Sequence, residues 1–339
     1  MRPPRFAPRL LWAAAALWGA LLTVAARAAE PAPVTLRIGF QKSAVNLVIL
    51  KQQATLEQRF PATRVQWIEF PAGPQLLEAL AVGSLDLGLT GDSPPVFAQA
   101  AGKDLRYVGA EPPKPRSSAI LVRADSPIAT PADLRGRKVA LQRGSSAHYL
   151  TVRALAQAGL AWSDIQPVWL PPAEARAAFE RGSVDAWAIW DPFYAAAEID
   201  LKPRVLTTGE GLSGNNSFYL ASTAFTREHP QALLAVFEEL TRADAYVQSH
   251  RKEAAQLIAD FSGLPLATVH RFIERRPRAP TGPVPAALVA EQQRVADAFA
   301  ALGLVPRAVT VGDIVWQPPA DTAAARATQR AAVARVAAP

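Results

Sequence analysis

The sequence predicts an α/β protein of two lobes, each built around a sheet whose strands are mostly parallel. One reason is the regular alternation, from Val34 onwards, of short apolar runs with helical segments. Another is a motif that occurs twice, at 83–94 and 182–192, as Gly-Ser-apolar-Asp, an apolar run, a second Asp and a proline. Finally, a chain of 339 residues with 50% hydrophobic content is long enough for about two compact units.

The first series of elements begins after Val34. Apolar, β-rich runs predict strands at Leu36–Phe40, Val65–Phe70, Leu85–Thr90 and Leu105–Ala110. Helical stretches lie between them at about 44–59, 74–82 and 94–101. Because each strand is followed by a helix, the strands are expected to run parallel, with helices covering both faces of the sheet.

A second series follows the proline-rich bend at 111–116 and an extended run at 118–123. Its strands are predicted at Lys138–Gln142, Gln166–Leu170, Ala186–Trp190 and Arg204–Thr207, and its helices at 147–158, 173–181 and 192–198. Beyond 215–220 only helical periodicity remains, at 230–249, 252–261, 266–274 and 284–302. The chain therefore enters this middle block once and leaves it once. Two chain crossings between the lobes predict a hinge.

These crossings divide the chain into predicted units. Lobe 1 is expected to comprise 34–121 and 222–317, lobe 2 to comprise 122–221, and an alanine- and arginine-rich tail at 318–339 to be mobile. Residues 1–28 have the pattern of a cleavable signal peptide. Arg2, Arg5 and Arg9 precede an uncharged apolar run, and a small-residue cleavage site that includes Arg27 follows it. We expect an exported, periplasmic protein that is not anchored, because the chain contains no cysteine for lipid attachment.

The formal charge of +7 falls to about +3 when the four arginines of 1–28 are removed. No cluster of basic residues is interleaved with aromatic residues, so we expect no nucleic-acid partner. A mildly basic protein suits a small anionic ligand.

The repeated motif predicts where that ligand binds. In each copy a strand ends at an aspartate and a helix begins, with Asp92 and Ser93 in the first and Asp191 in the second. Ligands bind at this edge of open α/β sheets, and a helix N-terminus attracts anions. Because a carboxylate repels an anion, we expect both aspartates to cap helices or pair with basic groups. If Asp191 instead faces the ligand, a cationic ligand tail is favoured, with Trp190 beside it.

Two further strand-to-helix junctions carry polar side chains. Gln41 and Lys42 follow the first strand, and a second loop begins at Gly144. That loop continues with Ser145, Ser146 and His148, and its hydroxyls are interpreted as ligand donors or, alternatively, as an ordinary helix cap. We expect His148 to be a first-turn helix residue rather than a catalytic base.

The chain resembles the periplasmic aliphatic sulfonate-binding proteins of ABC importers, within the nitrate/sulfonate/taurine group. The likeness is carried by "GFQKS", "GDSPPVFAQAAGKDLRYVGAEPPKP", "ADLRGRKVALQRGSSAHYL", "FERGSVDAWAIWDPFY", "FYLA" and "LVPRAVTVGDIVWQP". It implies a type II periplasmic-binding-protein fold, capture of a sulfonate anion between the lobes and delivery to an ABC permease for sulfur acquisition. The ligand contacts it implies are Gln41, Lys42, Asp92, Ser93, Gly144, Ser145, Ser146, His148, Trp190, Asp191, Asn215, Phe218 and Tyr219.

Three alternatives stay open at this point. The first is that the ligand is taurine or nitrate. The second is that the protein is an enzyme on the same fold, and the third is that it is a ligand-sensing regulatory domain. An enzyme is disfavoured because the sequence has no cysteine, phosphate-binding loop or metal-spaced histidine set, and a regulator is disfavoured by the export signal. We expect a monomer that uses no cofactor and no metal.

Overall fold

The computed structural model describes residues 32–319, which excludes the predicted signal peptide and nearly all of the predicted tail. Within this range the chain forms ten strands. In chain order they are β1 Thr35–Phe40, β2 Arg64–Glu69, β3 Leu87–Gly91, β4 Arg106–Glu111, β5 Ser118–Val122, β6 Lys138–Leu141, β7 Gln166–Trp169, β8 Ala186–Trp190, β9 Arg204–Thr208 and β10 Ser217–Ala221. All eight strands predicted from the sequence are present, within two residues at each end.

The ten strands form two five-stranded sheets of the same design. Their strand orders are β2-β1-β3-β10-β4 and β7-β6-β8-β5-β9. In each sheet the first three strands pair in parallel, and the fourth runs antiparallel to both neighbours. The strands β3 and β8, which carry the two copies of the repeated motif, hold the same third position.

Twelve α-helices complete the described part of the chain. They are α1 Val45–Gln52, α2 Thr55–Arg59, α3 Gly73–Ala81, α4 Ser93–Ala100, α5 Ser146–Gln157, α6 Pro172–Glu180, α7 Phe193–Asp200, α8 Thr223–Glu228, α9 Pro230–Ser249, α10 Arg251–Ser262, α11 Leu266–Glu274 and α12 Ala286–Ala301. The single helix predicted at 44–59 is wrong, because Ala54 has a left-handed backbone with φ 50° and separates α1 from α2.

Helices cover both faces of each sheet, as the alternation predicted. In the second sheet, Ile120 and Val139 face one apolar core with helix α5, whereas Leu121 and Ala140 face another with α6. This is the two-residue period of a strand that is buried on both sides. We call the first sheet with its helices lobe 1, and the second sheet with α5, α6 and α7 lobe 2.

The chain changes sheet a few residues earlier than the sequence indicated. Strand β5 (118–122) already pairs in the second sheet, and β10 (217–221) has returned to the first. The crossings are therefore the segments 112–117 and 209–216 rather than the predicted positions near 120–123 and 217–222. Strand β10 was not predicted, because its five residues precede a long helical region and its partners are more than a hundred residues away.

The first half of the repeated motif is structural. Asp86 accepts a hydrogen bond from the backbone N–H of Arg37 at 2.8 Å, and Asp185 accepts one from the N–H of Lys138 at 2.8 Å. Each aspartate also returns its own N–H to the carbonyl of the same residue, at 2.9 and 2.8 Å. The two Gly-Ser-apolar-Asp segments therefore lock β3 and β8 to the start of the neighbouring strand in the same way.

Candidate functional site

A cavity lies between the lobes, at the edge where β1, β3, β6 and β8 end. Its lining residues are Gln41, Ser43, Gly73, Leu89, Thr90, Gly91, Pro94, Lys114, Ser117, Ser145, Ser146, Trp190, Asp191, Asn215, Ser217, Phe272 and Arg276. The cavity volume is ≈ 50 Å³. That space suits a compact polar group that is held by both lobes.

Several residues predicted from the sequence line this cavity. They are Gln41, Ser145, Ser146, Trp190, Asp191 and Asn215. The Gln41 amide is held in place because its Nε2 donates to the carbonyl of Leu89 at 3.1 Å. Ser145 is the residue before α5, and its hydroxyl donates to the carbonyl of Gln142 at 2.7 Å. Helix α5 thus presents its N-terminus to the cavity, where unpaired N–H groups favour an anion.

The remaining predicted residues do not line the cavity. They are Lys42, Asp92, Ser93, Gly144, His148, Phe218 and Tyr219. The Lys42 ammonium instead donates to the carbonyl of Ser262 at 3.1 Å. Phe218 and Tyr219 are fully buried, because β10 is a central strand of the first sheet with helices on both faces. Their positions in the sheet make them core residues.

Asp92 and Ser93 lie behind the cavity wall at the start of α4. The hydroxyl of Ser93 donates to Asp92 Oδ1 at 2.9 Å, and the backbone carbonyl of Asp92 accepts from Gln292 Nε2 at 2.5 Å. Burial raises the pKa of Asp92, with the hydroxyl groups of Ser146 and Ser93 opposing the shift. The Asp92 side chain makes no cap hydrogen bond to α4 and forms no ion pair with a described basic residue. The expectation that it caps its helix or pairs with a basic group is therefore wrong, because its Oδ1 accepts from the Ser93 hydroxyl instead.

His148 is enclosed by aromatic rings that come from both lobes. Its ring centroid lies 6.0 Å from Phe97 and 5.0 Å from Phe299 in lobe 1, and 4.7 Å from Trp162 and 5.1 Å from Trp169 in lobe 2. We call these five residues the aromatic cluster. It packs the lobes together on one side of the cleft, and His148 belongs to this contact rather than to the cavity wall.

The cavity also contains two cations that sequence reasoning missed, Lys114 and Arg276. Both are buried beside Glu111, with Lys114 Nζ 3.0 Å from Glu111 Oε2 and Arg276 Nη2 3.2 Å from Oε1. Lys114 Nζ also donates to the hydroxyl of Ser217 at 2.9 Å. Arg276 Nε is buried and has no hydrogen-bond acceptor within residues 32–319. Two sequence features could have indicated these cations. Lys114 lies between two prolines, and Arg276 belongs to an arginine pair that follows α11.

These cations keep the buried carboxylate ionised. Burial alone raises the pKa of Glu111, but the charges of Arg276 and Lys114 outweigh it and lower that pKa to about 2. At neutral pH Lys114 and Arg276 therefore face ionised Glu111, and Arg276 also interacts with the carboxyl group of buried Asp244. The buried Arg276 Nε–H is left as an unsatisfied donor at the cavity, and an anionic ligand is the group that satisfies it.

Close approach of the lobes explains Gly91 at the end of β3. A Cβ atom at this position would stand 2.1 Å from the hydroxyl of Ser146, which comes from the opposite lobe. Even a methyl group would collide with that hydroxyl. A side chain at this position would make the Ser146 hydroxyl rotate away, so glycine lets that hydroxyl lie against the end of β3.

On another side of the cleft, ion pairs join the lobes through Arg275. The guanidinium at the end of α11 donates to Asp191 Oδ1 at 2.9 Å and to Glu198 of α7, and its carbon lies 3.9 Å from the Tyr194 ring centroid. Asp191 Oδ1 also accepts the N–H of Ala195 at 3.0 Å, one turn into α7. Asp191 thus both caps its helix and pairs with a basic group, as expected from the sequence.

Replacing Arg275 with glutamine is expected to lower the free energy of unfolding by about 3–5 kcal/mol, because buried Asp191 and half-buried Glu198 lose their cation. Arg271→Gln is the matched control, since Arg271 is 52% exposed and reaches Glu198 only, at 3.3 Å. Its loss should cost less than about 1 kcal/mol. Urea unfolding of both variants measures the difference, and equal costs would show that Arg275 is an ordinary surface charge.

Among 32–319, no group of three histidine, cysteine, aspartate or glutamate side chains is placed to hold a metal ion. In the same range no helix has both the length and the apolar character needed to cross a membrane.

Comparisons with known proteins agree with this geometry. The pattern that defines the NMT1/THI5-like family matches residues 65–254. An aliphatic sulfonates-binding protein of Escherichia coli (strain K12) is 50% identical over 291 residues, which are 86% of this chain and 91% of the relative. The chain belongs to the NMT1/THI5-like family and to the aliphatic sulfonate-binding proteins.

Solved structures support the same assignment. The periplasmic aliphatic sulphonate binding protein SsuA from Escherichia coli matches with a TM-score of 0.78 and 50% identity, covering 85% of this chain and 94% of that one. The alkanesulfonate-binding protein SsuA from Xanthomonas axonopodis pv. citri bound to MOPS matches with a TM-score of 0.81 and 49% identity, covering 85% and 99%. The predicted binding-protein fold is thereby confirmed, and these relatives are binding proteins rather than enzymes.

Proposed function

We propose that this protein captures aliphatic sulfonates in the cavity between its lobes and delivers them to the permease of an ABC importer for sulfur acquisition. The observation that carries the proposal is the buried, unsatisfied Arg276 Nε–H beside Lys114 in a cavity rich in hydroxyl and amide groups. Family membership supports it independently. Export to the periplasm by residues 1–28 and a monomeric state are parts of the same proposal.

A sulfonate suits this cavity chemically. It stays ionised throughout the biological pH range and presents three oxygens to N–H and O–H donors. We assign its head group to Arg276 and Lys114, together with the unpaired backbone N–H groups at the start of α5 and the amide of Gln41. The carbon chain then lies against the apolar part of the wall, which is formed by Leu89, Pro94, Trp190 and Phe272.

A melting screen of the purified protein against alkanesulfonates, taurine, nitrate and sulfate tests the proposal. A sulfonate at about a hundred times its dissociation constant is expected to stabilise the fold by about 2.7 kcal/mol. The buffer must be Tris chloride, because sulfonate buffers such as MOPS would occupy the site. A shift with nitrate alone would assign the protein to nitrate, and no shift with any sulfonate would refute sulfonate capture.

A further inference from the structure

Two buried polar atoms without a partner belong to side chains that line the cavity, and their charges are opposite. One is Arg276 Nε, which belongs to a cation 7% exposed. The other is Oδ2 of Asp191, which belongs to a carboxylate 4% exposed. Buried polar atoms are almost always satisfied in folded proteins. A ligand that fills this cavity can supply an acceptor for one atom and a donor for the other.

The Asp191 carboxylate has one oxygen committed to the protein and one left over. Its Oδ1 accepts from Arg275 and from the N–H of Ala195, and no described residue donates to Oδ2. The charged and titratable groups that face it are Arg275 after α11, Glu198 and Tyr194 of α7, and, across the cavity, Lys114 and Arg276. The helix cap and the ion pair therefore use only one of the two carboxylate oxygens, Oδ1.

Burial raises the pKa of Asp191 to about 6, and Arg275 only partly opposes that shift. Keeping Asp191 ionised at neutral pH therefore costs the folded protein free energy. Its Oδ2 also lacks a hydrogen-bond donor among the described residues. A cationic group placed against that oxygen would recover part of this cost.

We propose that Asp191 determines specificity, and that the preferred sulfonates carry an ammonium or another N–H donor at the end of a short chain. This rests on the proposed function, because the sulfonate head group is assigned to Arg276 and Lys114. The adjacent Trp190 lines the same cavity and offers an aromatic face for a cation. With a cavity volume of ≈ 50 Å³, the two charged ends are separated by only a few atoms.

Pairs of ligands with the same shape isolate the effect of the tail charge. Taurine is compared with propanesulfonate, and 3-aminopropanesulfonate with butanesulfonate, by calorimetry on the full protein in Tris chloride. In each pair a methyl group replaces the ammonium. We expect the amino member to bind at least about tenfold more tightly, as for a hydrogen bond between charged groups.

The variant Asp191→Asn should remove that preference. Its affinity for the amino sulfonates is expected to fall about tenfold or more, while affinity for the alkyl partners is retained or improved. Glu198→Gln is the matched control, because Glu198 also pairs with Arg275 but does not line the cavity. It should change both members of a pair equally. The wild-type preference should also fade as the pH falls below about 6, where Asp191 takes up a proton.

Each outcome is decisive. Equal wild-type affinities within each pair would overturn the role of Asp191 even if Asp191→Asn proved unstable. Equal weakening of both members by Asp191→Asn would show that the residue only closes the cleft. Binding of neither member by the wild type would refute the proposed function, and with it this proposal.

Discussion

Acidification from pH 6.5 to pH 3 is expected to remove about 4 kcal/mol of folding stability through His148 alone. Burial, with a contribution from the charge of Arg143, lowers the pKa of His148 from 6.5 to about 3. The unfolded chain therefore takes up a proton at this residue first. The His148 contribution to the free energy of unfolding is nearly complete above pH 6.5, decreases as the pH falls, and is largely lost at about pH 3.

The surroundings of His148 explain why the folded protein resists protonation. The backbone N–H of Gly144 donates to His148 Nδ1 at 3.2 Å, so the neutral ring carries its proton on Nε2. Protonating Nδ1 would break this hydrogen bond. The charged ring would also be fully buried, without any described acceptor for Nε2. The aromatic cluster thus stabilises the neutral form.

Urea unfolding at pH values between 4 and 7.5 measures this effect on the wild type and on His148→Phe. The variant should lack the His148 share of the pH dependence, which makes its stability curve flatter below pH 6.5. Phe97→Leu is the control, since it disturbs the same cluster without removing a titratable group and should retain the wild-type slope. Parallel curves for all three proteins would contradict the expectation.

Replacing Arg276 with glutamine is expected to affect both binding and stability. Sulfonate affinity should fall by about a hundredfold or more, because the variant loses a buried charge-assisted donor. The free energy of unfolding should fall by about 3–5 kcal/mol, because buried Glu111 keeps Lys114 as its one remaining cationic partner among the described residues. Arg278→Gln removes an exposed charge two residues away and should change stability by less than about 0.5 kcal/mol.

A double variant separates these two effects. Glu111→Gln combined with Arg276→Gln removes the carboxylate together with one of its two cations but leaves buried Lys114 without its acidic partner, so only part of the lost stability should return. Sulfonate affinity should remain low, since the donor is still absent. Calorimetry and urea unfolding on the same samples provide both readouts. Recovery of affinity in the double variant would show that Arg276 only compensates Glu111.

The sequence predicted the elements of this fold and part of the cavity wall. Local signals were sufficient for the strands, since β-rich runs between helices stand out, and for Ser145, Ser146 and Asp191 at the strand ends. The left-handed break at Ala54 was missed because alanine favours helix and no local signal marks the turn. The short strand β10 was missed because its pairing partners are distant in sequence.

The repeated motif shows where local information ends. Both copies are identifiable in sequence as strands that lead into helices, and Asp86 and Asp185 do lock the two sheets in the same way. At the second aspartate the copies diverge. Asp92 is buried behind the wall with Ser93, whereas Asp191 lines the cavity and pairs with Arg275. That difference depends on residues more than eighty positions away.

The sequence by itself determined the α/β alternation, the order of the lobes and the strand ends that border the cavity, because these follow from periodicity and from residues adjacent in the chain. Only the tertiary structure decided which charges reach the cavity. Lys114 and Arg276 come from segments 162 residues apart, and both depend on Glu111 for their position. A charge acts through its distance to other charges in space, and spacing along the chain does not specify that distance.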